Sequence, residues 1–134
     1  MPGVTLTLSG SKNEKLTKEC VLLATQITCD ILKKNSFETM VIVKYIDRED
    51  WFINGKNLVE WGKNSFRLEV TVVDETCSKD QKAAYQKAIY TAMDQVIENL
   101  HPHSNVHIID CKAASYGYTG ITQEYRYQHK DEFY

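Results

Sequence analysis

Met1-Pro2-Gly3-Val4-Thr5-Leu6-Thr7-Leu8 opens the chain. Apolar Val4, Leu6 and Leu8 alternate with Gly3, Thr5 and Thr7, the period-two pattern of a strand with one buried face. Pro2 suits the first position of such a strand, where its missing N–H removes no central ladder bond. If Met1 is removed, as a small second residue usually permits, Pro2 becomes a secondary amine at the head of a sheet strand, a candidate nucleophile or base.

Outward from this strand, Ser9-Gly10-Ser11 breaks the alternation, and Ser11 precedes Glu14 by the capping-box spacing. A helix is expected to about Lys33, because Leu16, Cys20, Leu23, Ala24, Ile27, Ile31 and Leu32 form one stripe at three- and four-residue intervals. Lys33 and Lys34 complement its negative end. Asn35-Ser36 turns the chain into a second strand, Phe37 to Ile46, rich in aromatic and β-branched residues. A helix of this length between two strands makes them parallel. Asp47 to Gly62, with Trp51-Phe52-Ile53-Asn54-Gly55, reads as a long irregular hairpin.

The order then returns. Phe66 to Val73 reads as a strand, Thr76 or Ser78 as the cap of a helix from about Lys79 to Asn99, and Asn105 to Cys111 as a further strand. Ser11-Lys12-Asn13-Glu14-Lys15 matches Ser78-Lys79-Asp80-Gln81-Lys82, and Tyr116-Gly117-Tyr118-Thr119-Gly120 falls where Trp51 to Gly55 falls. The expected organisation is one domain, 1–134, of two βαβ units (2–62 and 63–122) with a tail, 123–134, that adds an edge strand to a neighbour or stays loose. Its fold class is α+β, a two-layer sandwich with a four-stranded mixed sheet and two helices on one face.

With 134 residues, 43% hydrophobic, 25% charged and a net charge of −2, the chain has material for a core and no basic surface for nucleic acid. No apolar run approaches the roughly 18–20 residues of a membrane span, and no signal-peptide pattern is visible, so a cytoplasmic protein is expected. Cys20, Cys29, Cys77 and Cys111 form no CxxC pair and read as reduced thiols. His101, His103 and His107 cross a proline turn with no acidic or cysteine companion at a standard interval, so a polar turn and no metal is expected.

A penultimate proline heading a strand, a duplicated βαβ order and the Trp51-Phe52-Ile53-Asn54-Gly55 loop together resemble the tautomerase superfamily. Its short members, the 4-oxalocrotonate tautomerases, look like residues 2–55. Its longer members fuse two such units: macrophage migration inhibitory factor, malonate semialdehyde decarboxylase and the cis-3-chloroacrylic acid dehalogenases. The resemblance covers residues 2 to about 122 and implies a homotrimer acting without cofactor on a small-molecule substrate, with Pro2 as general base for keto–enol tautomerisation of a 2-oxo or enol compound. An amine does this near neutral pH only if apolar surroundings or neighbouring cations lower its pKa. Trp51, Phe52, Tyr116 and Tyr118 are the candidate walls.

The chain departs from the family where a substrate anion would be held. Arginines implied just after the third main strand are replaced by Asp74-Glu75-Thr76-Cys77, and the dehalogenase branch's helical histidine by Thr28 or Cys29. Lys34 stands where migration inhibitory factor carries an active-site lysine, and Lys12 resembles in position an arginine of the short tautomerases. Arg67 is expected on the strand face opposite Leu68, Val70 and Val72. Asp74 or Glu75 is a candidate second acid or base. The alternatives are a dehalogenase-, hydratase- or decarboxylase-type lyase with protonated Pro2 as acid, and a non-catalytic oligomeric binding protein of the same fold.

Overall fold

The computed structural model describes residues 2–133. Four strands form one mixed sheet in the order β2-β1-β5-β6: β1 Gly3–Ser9, β2 Met40–Ile46, β5 Phe66–Val73 and β6 Asn105–Cys111. β1 is parallel to β2, and β5 is parallel to β6, while β1 and β5 meet antiparallel at the centre with Leu6 opposite Leu68. This is the expected two-layer α+β sandwich. Helices α1 (Glu14–Leu32) and α3 (Lys79–Val96) cover one face. Two-residue hairpins, β3 (Phe52–Ile53) with β4 (Lys56–Asn57) and β7 (Gly117–Tyr118) with β8 (Ile121–Thr122), follow β2 and β6. Short helices α2 (Leu58–Trp61), α4 (Gln123–Gln128) and α5 (Lys130–Phe133) complete the chain.

Strand alternation sorts the side chains. Val4, Leu6 and Leu8 of β1 and Phe66, Leu68, Val70 and Val72 of β5 are buried beneath the helices. Each such aliphatic side chain contributes roughly 1.5–3 kcal/mol of transfer free energy on burial. Cys20, Ala24, Thr28 and Leu32 of α1 meet Tyr85, Ile89 and Met93 of α3 across them. The Thr28 hydroxyl donates to the Ala24 carbonyl at 2.6 Å and shares a 2.8 Å hydrogen bond with the Tyr85 phenol, so the polar ends buried between the helices are satisfied. Burial pushes the Tyr85 phenol up to about 12 and the Cys20 thiol to about 11, leaving both protonated core groups. On the opposite sheet face Met40, Ile42, Ile46 and Ile109 are exposed beside Arg67.

Several local expectations change. Asn13, not Ser11, caps α1, its side chain accepting from the Leu16 amide at 3.1 Å; Ser11 lies two residues too early. Ser78 and Gln81 do form a reciprocal capping box on α3, so the helix starts align Asn13 with Ser78. α3 ends at Val96, short of Asn99. β2 begins at Met40, because Asn35 caps a 3-10 turn over Ser36–Glu38 that leaves Phe37 97% exposed. The stretch from Gln123 is helical, with Gln123 and Arg126 buried, and is neither an edge strand nor loose. Tyr134 and Met1 lie outside the described residues.

The internal repeat is regular in three dimensions. Met40 and Asn105 open equivalent strands, Phe52 and Gly117 equivalent hairpins, and Leu58 and Gln123 equivalent short helices, each pair 65 positions apart. Gly3 pairs with Met40 as Arg67 pairs with Asn105, which makes Gly3 and Arg67, and hence Pro2 and Phe66, counterparts. No helix among the described residues is long and apolar enough to cross a membrane.

Candidate active site

Pro2 is buried at the start of β1, its carbonyl accepting from the Met40 amide at 3.3 Å. A cavity of about 360 Å³ opens beside it, lined by Phe37, Glu38, Met40, Tyr116 and Tyr118. The topology explains this company. β1 and β2 start level in parallel register, so the residues just before Met40 stand beside Pro2. β5 runs antiparallel to β1 and β6 parallel to β5, so β6 ends where β1 begins and delivers the β7-β8 hairpin there.

Two tyrosines of that hairpin segment face the cavity with different partners. The Tyr118 phenol donates to Glu38 Oε1 at 2.5 Å, while the Arg126 guanidinium lies 4.0 Å from the centre of its ring and donates to the Tyr118 carbonyl and, at 2.8 Å, to Thr119 Oγ1. The Tyr116 hydroxyl is buried with no hydrogen-bond partner among the described residues, and lies 3.6 Å from where a β-carbon on Gly3 would stand. Burial first, and then the neighbouring Cys111, push this phenol up to about 12, so it stays a neutral donor throughout the neutral range. The Gln123 amide clamps the segment from behind by donating to the Tyr116 carbonyl at 2.7 Å.

The other expected site residues lie elsewhere in the chain. Trp51 and Phe52 follow the far end of β2 and line a second cavity near Phe66 and Arg67. The seven-residue length of β1 puts that cavity about 20 Å from Pro2. Lys34 Nζ donates to Thr76 Oγ1 at 3.0 Å, and the Asp74 amide donates to the Cys111 carbonyl at 2.7 Å. Both belong to the Pro2 end of the sheet without lining its cavity. Arg67 occupies the open face, as its strand position requires, with Nε 3.4 Å from Glu69. His101 Nδ1 accepts from the His103 amide at 2.9 Å, a turn-stabilising bond. Glu38 escaped the sequence reading because Phe37 to Ile46 reads as one strand. Its signal is an acid directly before a strand parallel to β1, a position that topology places next to Pro2.

No family model and no curated protein sequence matches the chain, whereas its fold matches solved structures. A wild-type fused 4-OT solved as a symmetric trimer superposes with a TM-score of 0.76 at 11% identity, over 91% of this chain and 96% of that one. Pt0534 inactivated by 2-oxo-3-pentynoate gives 0.80 at 12% over the same shares. FG41 malonate semialdehyde decarboxylase inhibited by 3-bromopropiolate gives 0.73 at 9% identity, over 93% of this chain and 95% of that one. The fold is that of the tautomerase superfamily in its fused, two-unit form.

Proposed function

We propose that this chain, with Met1 removed, is a cofactor-independent keto–enol tautomerase in which the Pro2 nitrogen moves a proton between carbon and oxygen of a small 2-oxo or enol compound. The observation that carries this reading is the buried Pro2 sharing an apolar-walled cavity with the unpartnered Tyr116 hydroxyl. The amine takes the proton next to the carbonyl, and the Tyr116 phenol hydrogen-bonds the oxygen on which charge develops. The Tyr116 and Tyr118 rings and the Met40 side chain flank the body of the substrate. Glu38 is the one charged side chain lining the cavity among the described residues, so the substrate end lying against it is uncharged.

The methyl ester of phenylenolpyruvate is therefore expected to be ketonised with a kcat/KM about tenfold above that of the free acid, the scale of one screened charge repulsion. Turnover of neither compound above the solvent rate would refute the tautomerase assignment. Glu38 also supports a second reading, in which its carboxylate, held by Tyr118, activates water for addition to an unsaturated compound while protonated Pro2 supplies the proton to carbon. Appearance of a hydrated product by NMR distinguishes that chemistry from ketonisation.

The working form in this proposal is a homotrimer. The exposed apolar residues Ile42 and Ile109 on the open sheet face, and the trimeric form of a fused 4-OT with this fold, support it. Sedimentation at the mass of one 15.5 kDa chain would contradict it.

A further inference from the structure

The cavity at the far end of the sheet is the internal-repeat counterpart of the Pro2 cavity, and its chemistry is different. Trp51 stands where Tyr116 stands in the other repeat, Phe52 where Gly117, His103 where Glu38, and Asn105 where Met40. Phe66 replaces Pro2 and packs its ring in the core at 6.3 Å from Tyr90, so this cavity has no terminal amine and cannot repeat proton transfer by that group. Arg67 replaces Gly3, bringing a guanidinium to a position where the first cavity has no side chain at all.

The lining groups describe a ligand. Arg67 Nε lies 3.4 Å from Glu69 Oε1, whose carboxylate also lines the cavity; both side chains are more than a third exposed, a pair weak enough for a competing carboxylate to replace. Its two terminal nitrogens make no hydrogen bond within the described residues and match the two oxygens of a carboxylate. Asn105 sits directly beside Arg67 across the β5-β6 ladder, strands that lie about 4.8 Å apart. Its Oδ1 is buried with no donor, although its Nδ2 lies 3.4 Å from His103 Nε2. Trp51 and the 60% exposed Phe52 supply flat apolar surface. The volume is about 340 Å³, room for a two-ring molecule.

We propose that this second cavity is a non-catalytic binding site for a small planar carboxylate bearing an N–H or O–H donor next to the acid group. The carboxylate binds Arg67, the donor satisfies Asn105 Oδ1, and the ring lies against Trp51 and Phe52. Indole-2-carboxylate is the probe, because its ring N–H adjoins its carboxylate; naphthalene-2-carboxylate lacks the donor and indole lacks the acid. Titrating the full ¹⁵N-labelled chain with indole-2-carboxylate is expected to shift the Trp51 indole N–H and the amides of Phe52, Arg67 and Asn105. Arg67→Gln is expected to weaken binding at least tenfold, naphthalene-2-carboxylate and indole to bind several-fold more weakly than the probe, and Pro2→Ala to leave it unchanged. Asn105→Leu provides a second variant and is expected to remove the preference for indole-2-carboxylate over its naphthalene analogue. Shifts confined to residues around Pro2, no shifts up to millimolar probe, or equal affinity in the parent and a folded Arg67→Gln would each overturn the proposal.

Discussion

Pro2→Ala is expected to fold like the parent and to lose about 10²-fold or more in kcat/KM on the methyl ester of phenylenolpyruvate, within the range for removing a positioned acid–base group. The fold survives because Pro2 contributes a carbonyl to the Met40 amide, a bond that alanine keeps. The activity falls because the pyrrolidine ring fixes φ and hence the direction of the nitrogen, whereas alanine presents a rotating, better hydrated primary amine. A chain that retains Met1 makes the more severe test. Its Pro2 nitrogen is an amide with no basic lone pair, so the full 10²–10⁴-fold acid–base contribution should vanish although every side chain around the cavity is unchanged. Intact mass identifies the retained methionine, and circular dichroism reports the fold. Equal rates in the parent and Pro2→Ala would locate the chemistry elsewhere.

The sheet and its two covering helices were legible because each strand and helix has one buried face. Val4, Leu6 and Leu8 reveal a half-buried strand by alternation alone, and Leu16 to Leu32 reveal a helix by its stripe. Boundaries set by single hydrogen bonds were less legible. Ser11 and Asn13 both have the composition of a cap, and only the backbone bend decides that Asn13 receives the Leu16 amide. Phe37 looks like strand interior, yet Asn35 accepts from its amide and turns it out to solvent.

The site was half legible for a topological reason. Two tandem units announce themselves in the sequence, but their mutual direction does not. The antiparallel meeting of β1 with β5 sends each repeat's hairpin to the other repeat's first strand. Tyr116 and Tyr118 therefore close over Pro2, while Trp51 and Phe52 close over Phe66. Glu38, unremarked within an apolar run, becomes the charged wall because β2 starts level with β1, whereas Asp74, which antiparallel β5 carries to the same end of the sheet, does not line the cavity.

Gly117→Ala is expected to disable the Pro2 cavity more than it destabilises the chain. A β-carbon at Gly117 would lie 2.1 Å from the Ile121 carbonyl oxygen and 2.8 Å from the Thr122 Cα, so the obstruction is backbone of the facing strand β8 and no side-chain rotation relieves it. The hairpin has to open. Its counterpart position in the first repeat carries Phe52, 60% exposed, so the β3-β4 hairpin accommodates a side chain where the β7-β8 hairpin leaves no room for a β-carbon. Overpacking of this kind costs about 1–3 kcal/mol, a loss the large core elsewhere withstands. Tyr116 and Tyr118 flank Gly117, so opening the hairpin shifts both phenols, breaks the Tyr118 bond to Glu38 and moves the Tyr116 donor away from Gly3 and Pro2. A displacement of about 1 Å in a catalytic arrangement is enough for roughly a hundredfold loss of kcat/KM. The expected pattern is therefore a modest fall in the urea midpoint with a loss of about two orders of magnitude in ketonisation. Activity falling only in proportion to the folded fraction would mean that this hairpin plays no part in the chemistry.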